Sequence, residues 1–182
     1  MATVLFIKTE DLKRNTIISG SVDVDKFISN IKVAQQIHIQ RYLGTDLYKR
    51  LQDGIVANDL TASESILLSD YLQDTLIYYA MSEYLPFAAI QVTNGGVFKH
   101  TPDNAVSVDK SEIDYLTAKY KERANYYTKR LVDYLCHNAS SFPEYSTNTN
   151  NEISPTKRLD TGGWYLGDTG YDDAIRYRDL EL

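Results

Sequence analysis

The segment DKSEIDYLTAKYKERANYYTKRLVDYLCH, residues 109–137, is the most regular stretch of the sequence and decides the fold class. Apolar and tyrosine side chains recur along it every three or four residues, which is the spacing of one face of an α-helix. This stripe consists of Ile113, Leu116, Tyr120, Ala124, Tyr127, Leu131 and Tyr134. A helix from Asp109 to His137 would be roughly 40 Å long at ~1.5 Å per residue. The sequence therefore predicts a mainly helical and elongated domain.

A second strong helix is predicted upstream. Thr61 and Glu64 fit a capping box, in which each side chain satisfies the other residue's backbone amide. The run that follows has a helical period, with Leu67, Leu68, Tyr71, Leu72, Thr75, Leu76 and Tyr79 as its apolar and tyrosine positions. Because proline lacks the amide that a helix interior needs, Pro86 predicts a break or kink near Leu85.

The first half of the chain predicts two further helices. One should begin near Asp23 or Asp25, either of which can cap free amides, and bury a face made of Phe27, Ile31, Ala34 and Ile37. Gly44 can close this helix in a left-handed conformation, and Thr45 or Asp46 can cap the next. That next helix should be short, with Leu47, Tyr48 and Leu51 on its apolar side and Gly54 as its stop. Ahead of both, Thr3 to Lys8 favours a short strand or an extended arm.

The remaining segments predict a hairpin and an arm. Asn94-Gly95 lies between β-forming residues and is a strong hairpin signal, so a two-stranded hairpin is expected near residues 90–100. From Asn138 onward the composition changes to Asn, Ser, Thr, Gly and Asp without a persistent period. We therefore predict a helical domain of about four helices at residues 1–137 and an extended C-terminal arm at residues 138–182.

Composition argues against several functional classes. The net charge of −6 lacks the basic excess that proteins binding duplex nucleic acid normally show. No window approaches the ~18 consecutive apolar residues of a membrane span. The single cysteine, Cys136, cannot form an intrachain disulfide and favours a reducing compartment. Beside His137 it fits a half-buried structural thiol better than a nucleophile, because helix neighbours point in different directions.

No metal, cofactor or catalytic motif stands out. The three histidines, His38, His100 and His137, lack the spacing of metal ligands. The glycine-containing loops do not match phosphate-binding patterns. Asp172 and Asp173 are adjacent in a tail without rigid support, which suits acid–base catalysis poorly. The prediction is therefore of a protein that is not an enzyme, with no catalytic residue, no cofactor and no metal.

One segment allows an alternative function. Residues 31–51 read as helix, glycine turn and helix, like a DNA-binding helix-turn-helix. The second helix offers only Lys49 and Arg50 as cations, flanked by Asp46 and Asp53. A helical nucleic-acid-binding regulator is therefore kept as the alternative.

The aromatic residues of the chain predict surfaces that contact other proteins. The chain has 15 tyrosines against 5 phenylalanines, and tyrosine suits contacts that are buried but partly wet. Tyr115 and Tyr126 fall off the inward stripe of the long helix, so they are either solvated or part of a contact between subunits. Trp164, the only tryptophan, lies in the tail beside Tyr165 and Leu166. These five residues are the candidate contact residues.

The order of several short motifs resembles the head–tail connector proteins (adaptor or head-completion proteins) of tailed bacteriophages, particularly crAss-like phages and related phages of Bacteroidetes. These motifs are the Ala34-Gln35 pair, LGTDLY at residues 43–48, the Tyr78-Tyr79 pair, NGGV at residues 94–97, the tyrosine-rich helix at 113–134 and NASSFPEY at 138–145. The resemblance covers roughly residues 1–145, and the later segment matches no motif of that family.

The resemblance implies a virion structural protein. Its expected form is a ring of identical subunits, usually twelve, below the portal protein, where it extends the DNA channel and offers a platform to tail or other neck proteins. Genomic DNA would pass through without specific binding, and the subunit would reside in the host cytoplasm during assembly. The arm is then expected to lie along a neighbouring subunit or neck protein with Trp164, Tyr165 and Leu166 as its anchor; the alternative is that it folds back on its own helices.

Overall fold

The computed structural model describes residues 4–88, 90–93, 96–99, 109–150 and 152–157. Within these residues the chain is mainly helical, which confirms the predicted class. Helices α1 (Thr9–Asn15), α2 (28–43), α3 (Thr45–Ala57), α4 (62–88), α5 (Lys110–His137) and α6 (Pro143–Thr147) follow one another along the chain, with 3₁₀ turns at Val24–Lys26 and Ala139–Ser141.

Helices α4 and α5 form the largest packing contact of the fold. Helix α5 starts after a capping box of Asp109 and Glu112 and ends at His137, as the sequence predicts. Its stripe turns inward: Tyr120, Ala124 and Leu131 are buried, and Thr128, Val132 and Leu135 are buried beside them. The predicted Thr61–Glu64 capping box at the start of α4 is also present. Helix α2 packs on another side of α4, which places α4 in the centre.

Helices α2 and α4 each contain a π-helical stretch, at Gln35–Ile39 and Leu67–Leu72. A π-turn adds a residue and rotates the following side chains around the helix axis. As a result, Ile37 is exposed and Ile39 is buried, although Phe27, Ile31 and Ala34 are buried as expected. The prediction that Ile37 faces the core is therefore wrong, because it assumed an unbroken 3.6-residue period.

Gly54, predicted as a helix stop, and Pro86, predicted to break or kink its helix near Leu85, both lie within helices. Helix α3 continues past Gly54 to Ala57 and ends at Asn58, which has φ 55° and ψ 42°. At Gly54 a Cβ would lie 2.6 Å from Leu60 Cδ2, so this glycine makes room for a packed leucine. Helix α4 continues through Pro86 to Ala88, where the proline falls in the last turn and removes one ladder hydrogen bond at most.

The joint between α2 and α3 is built on Gly44. Gly44 has φ 75° and ψ 163°, a conformation open to glycine almost alone, and it serves both as the C-cap of α2 and as the N-cap of α3. Thr45 and Asp46, predicted as caps, lie within the first turn of α3 instead. Their side chains are free to bind another part of the chain.

The N-terminal region also differs from its prediction. The described residues 4–8 do not form a strand, and Thr9–Asn15 forms a helix that the sequence reasoning missed. Helix α1 has acidic residues in its first turn and basic residues in its last, which matches the helix dipole, and it buries Leu12. Near the predicted helix start, Asp23 instead caps the 3₁₀ turn, and α2 begins at Ile28.

Two short strands follow α4. Strand β1 (Ile90–Thr93) pairs antiparallel with β2 (Gly96–Lys99), with Ile90 opposite Lys99 and Thr93 opposite Gly96. The predicted turn residues, Asn94 and Gly95, lie outside the described residues.

The first part of the predicted arm returns to the body of the protein. Phe142 and Tyr145 are buried in the common core. Beyond them, the backbone of Ile153 exchanges hydrogen bonds with Thr45, and the Thr156 amide donates to the Arg41 carbonyl at 2.9 Å. Residues 138–150 and 152–157, which we call the return segment, therefore fold back on their own helices rather than extending from residue 138, because they find apolar and backbone partners there. Residues 158–182 lie outside the described residues.

Candidate interaction surface

A row of tyrosines fills one side of the seam between α4 and α5. Tyr71 stacks on Tyr134 with ring centroids 4.1 Å apart, and Tyr78 stacks on Tyr127 at 5.2 Å. Phe142 meets Tyr134 edge-on at 6.1 Å and continues the row toward the C-terminal segment. We call this row the aromatic seam. It extends along the helix pair and remains partly open to solvent.

Two arginines of α5 cover the aromatic seam. The Arg123 guanidinium lies over Tyr78 at 5.9 Å, and that of Arg130 lies over Tyr71 at 5.5 Å. Cation–π contacts of this kind stabilise by about 0.5–1 kcal/mol at exposed sites. Burial raises the pKa of Tyr127, and burial also raises the pKa of Asp74, which the nearby Arg130 partly offsets. The seam is thus an aromatic surface with positive charge above it.

The outer face of α5 exposes two of the predicted contact residues. Tyr115 and Tyr126 are 63% and 64% exposed. They are about three helical turns apart and therefore share one face of the helix, separated by roughly 16 Å. Between them the Lys119 ammonium donates to the Glu122 carboxylate at 2.8 Å, and this hydrogen bond lowers the pKa of Glu122. The tyrosines are thus presented to solvent, as expected for residues off the stripe.

An open groove joins this face to the aromatic seam. It encloses about 620 Å³ and is lined by Tyr78, Lys119, Glu122, Arg123, Tyr126 and Tyr127. We call it the α4–α5 groove. Its walls combine tyrosine rings with two cations and one carboxylate, a composition that fits a peptide segment better than a small reacting molecule.

Beneath the surface, His38 belongs to a structural contact between three helices. Its ring stacks on Tyr79 at 4.0 Å, and its Nε2 lies 2.9 Å from Glu83 Oε1. Tyr79 in turn donates to Asn125 Oδ1 at 3.1 Å and accepts from Thr128 Oγ1 at 3.2 Å. These bonds link α2, α4 and α5 and account for His38 without a metal or a reaction.

Of the other residues considered for metal binding or catalysis, the structure describes His137 and Cys136. His137 Nδ1 lies 2.8 Å from the Asp133 carbonyl of its own helix, while His100 lies outside the described residues. Cys136 is exposed, although a half-buried thiol was expected, and its Sγ lies 3.8 Å from Tyr145 Oη. Asp172 and Asp173 also lie outside the described residues. Among the residues that the structure describes, three or more His, Cys, Asp or Glu side chains do not gather where they could hold a metal ion.

The residues of the helix-turn-helix alternative are engaged within the chain. Arg50 Nε donates to Glu64 Oε1 at 2.9 Å, and Arg50 Nη1 donates to Asp59 Oδ1 at 3.0 Å. Lys49 Nζ lies 3.8 Å from a Glu152 carboxylate oxygen. The first turn of α3, which would approach a DNA groove, binds Asn148, Thr149 and Ile153 of the same chain.

The other predicted contact residues, Trp164, Tyr165 and Leu166, lie outside the described residues. The helices of the described residues all fall short of the length and apolar character that a membrane span requires.

Residues 39–155 match a family of unknown function, DUF6712. The chain belongs to this family. Curated proteins and solved structures yielded no match. The DUF6712 region includes the α4–α5 groove, both exposed tyrosines and the return segment up to Pro155, but not Trp164.

Sequence reasoning found Tyr115 and Tyr126 but missed the groove. Tyr78 was noted only as part of a tyrosine pair, and the sequence pattern did not link it to Lys119 or Arg123. Tyr78 is about 40 residues from Lys119 and Arg123 in sequence. These side chains lie together only because α4 packs against α5. The spacing of Arg123 and Arg130, one heptad apart on the rim of a tyrosine stripe, is the signal that could have indicated it.

Proposed function

We propose that this DUF6712 chain is a structural subunit of a head–tail adaptor ring in a tailed bacteriophage. The observation that carries the proposal is the outer face of α5, where two exposed tyrosines flank an ion pair on the longest helix of the fold. The resemblance of residues 1–145 to head–tail connector proteins supports it. In this proposal the protein binds other proteins and catalyses no reaction.

The ring would form by a repeated contact between unlike surfaces. Such a contact, applied around a closing rotation, generates a ring from one chain. Tyrosine with charged residues at its margin is typical of contacts that are buried but wet at the rim. We assign Tyr115 and Tyr126 to this contact, in a ring of about twelve copies as the resemblance implies.

The end of the helical bundle is a second candidate surface for binding other virion proteins. An elongated bundle suits a wedge in a ring, and the exposed Phe87 and Ile90 lie where α4 leads into the hairpin strands. This apolar end is our candidate contact with the portal protein or with tail and neck proteins. The arm, redefined as residues 158–182, would reach a neighbouring subunit or neck protein with Trp164, Tyr165 and Leu166 as its anchor. Buried aromatic anchors are worth about 2 kcal/mol or more each when truncated.

The charge of the chain suits passage of DNA. A net charge of −6 favours a channel lining along which the phosphate backbone slides without binding. The proposed location is therefore the head–tail junction of the virion, after assembly in the host cytoplasm.

Assembly of two charge-bearing variants tests the proposal. In Tyr115→Glu/Tyr126→Glu, carboxylates replace the exposed rings, and we expect the variant to stay folded but to lose assembly onto portal-containing particles. Val56→Glu, at a residue 73% exposed on α3, is the matched control and should assemble normally. Native mass measurement, alone and with portal, gives the readout.

Two results would contradict the proposal. One is normal joining of capsid to tail in particles that lack this protein. The other is salt-dependent binding of the purified chain to duplex DNA, which would favour the nucleic-acid-binding regulator instead.

A further inference from the structure

The α4–α5 groove is a basic surface on an acidic protein. Residues 119–130 of α5 contain five lysines and arginines and one glutamate, a net charge of +4, while the whole chain carries −6. All six of these charged residues are exposed. Lys119 and Arg123 line the groove itself, with tyrosine rings on both sides. The groove therefore favours an acidic segment that also carries aromatic side chains.

The segment after residue 157 has this composition. Residues 158–182 contain six carboxylates and three arginines, a net charge of −3, together with Trp164, Tyr165, Tyr171 and Tyr177. Tryptophan is the strongest aromatic partner for an arginine or lysine cation. The charge and the aromatic content of the segment are thus both complementary to the groove.

The segment also starts at one end of the aromatic seam. Lys157 Nζ lies 5.8 Å above the ring of Tyr145, whose hydroxyl reaches Cys136 near the end of α5. From Cys136 back to Arg123 is thirteen residues of helix, or roughly 20 Å. The seven residues 158–164 span roughly 24 Å when extended. Trp164 can therefore reach the groove of its own subunit.

We propose that, in the subunit before assembly, residues 158–182 of the same chain bind the α4–α5 groove, with Trp164 among Tyr78, Arg123 and Tyr126. A segment tethered at this distance has an effective concentration in the millimolar range, so it occupies its own groove ahead of a neighbour's. Bound there, it covers Tyr126, one of the two tyrosines assigned to the subunit contact. The segment thus restrains association until a template displaces it.

The only tryptophan of the chain provides a direct test in the full-length protein. At concentrations where the protein is monomeric, we expect Trp164 emission at short wavelength and protection from acrylamide quenching. The variant Lys119→Glu/Arg123→Glu reverses both groove cations and should shift the emission to longer wavelength and increase quenching severalfold. Lys121→Glu, an exposed residue of α5 that does not line the groove, should change neither.

A charge exchange distinguishes docking from general damage. Adding Asp172→Lys/Asp173→Lys to the groove variant should restore protection, which a misfolded body would not allow, and far-ultraviolet circular dichroism checks the helices. Full quenching of the wild-type indole, or equal protection in every variant, overturns the proposal. Protection that disappears on dilution also overturns it and assigns the groove to a second copy. Because these measurements use the monomer, loss of ring assembly in the earlier experiment leaves this test unaffected.

Discussion

Gln35 is the buried polar side chain that attaches the N-terminal segment to the helices. Its Oε1 accepts the Phe6 amide at 2.9 Å, and its Nε2 donates to the Val4 carbonyl at 2.8 Å and to Tyr48 Oη at 3.0 Å. The residue is fully buried, and the Phe6 amide depends on it for a partner, whereas the Val4 carbonyl also accepts from Gln52 Nε2 at 3.2 Å. The Ala34-Gln35 pair, noted only as part of a resemblance, thus has a structural reason: a small residue packs beside an amide that satisfies two backbone groups.

Replacing Gln35 should destabilise the fold strongly. In Gln35→Leu the Phe6 amide loses its partner while the Val4 carbonyl keeps one donor, Gln52 Nε2, and we expect a loss of about 1–3 kcal/mol in the free energy of unfolding. Gln36→Leu, at the exposed neighbouring position, is the matched control and should change it by less than about 0.5 kcal/mol. Urea unfolding of both variants is the measurement, and equal stabilities would contradict the assigned role.

Gly44 is the second residue on which the local structure depends. Its φ of 75° is strained for any other residue, and an added Cβ would lie 2.7 Å from Pro155 Cδ. We expect Gly44→Ala to cost about 2–4 kcal/mol from backbone strain and overpacking together. Gly20→Ala, where nothing lies within 4 Å, should have little effect on the same thermal or urea unfolding curve.

At the scale of elements, the joint between α2 and α3 holds the returning chain. The Asp46 carboxylate accepts the amides of Thr149 at 2.6 Å and of Asn150 at 3.2 Å. Ile153 and Thr156 bind the same joint through backbone hydrogen bonds. The return segment is therefore attached mainly by hydrogen bonds to one helix start, while Phe142 and Tyr145 anchor its beginning in the core.

Removing this carboxylate should release the segment without unfolding the helices. In Asp46→Ala we expect faster hydrogen exchange and faster proteolysis at residues 148–157, because charge-assisted hydrogen bonds to two amides are lost. Asp53→Ala, an exposed carboxylate on the same helix, should leave both rates unchanged. If the Asp46 variant instead loosened α4 and α5 equally, the segment would be part of the cooperative core.

At the scale of the whole molecule, tyrosines make the fold sensitive to alkaline pH. Burial raises the pKa of Tyr48, Tyr84 and Tyr145, and the nearby Cys136 adds to the effect at Tyr145. A pKa that is higher in the folded state means that the protonated form is favoured by folding. The stability linked to these groups is fully present below the unfolded value of about 10 and is lost as pH rises through the folded values.

Unfolding measured against pH tests this sign. We expect the free energy of unfolding to fall continuously above about pH 10 and Tyr145→Phe, which cannot ionise, to fall less steeply over the same range. The two proteins should differ little at neutral pH, because the Tyr145 hydroxyl has only a long contact to the Cys136 thiol. An identical pH dependence for both would show that Tyr145 is not a source of the alkaline loss.

The sequence by itself determined the features that depend on a few neighbouring residues. The stripe of α5, the Thr61–Glu64 capping box and the glycine joint at Gly44 were all predicted from local spacing and backbone sterics. Such signals act within one or two helical turns, so they are readable without knowing what the helix packs against.

Only the tertiary structure decided the features that depend on distant partners. Helix α2 contains a π-turn that leaves Ile37 exposed. Helix α3 continues beyond Gly54, where Leu60 packs in the space that a larger side chain would need. The return segment and the contact of Tyr78 with Arg123 join parts of the chain that are far apart in sequence. Burial of apolar surface and satisfaction of backbone groups outweigh local propensity at such places, and a period read along the chain does not record them.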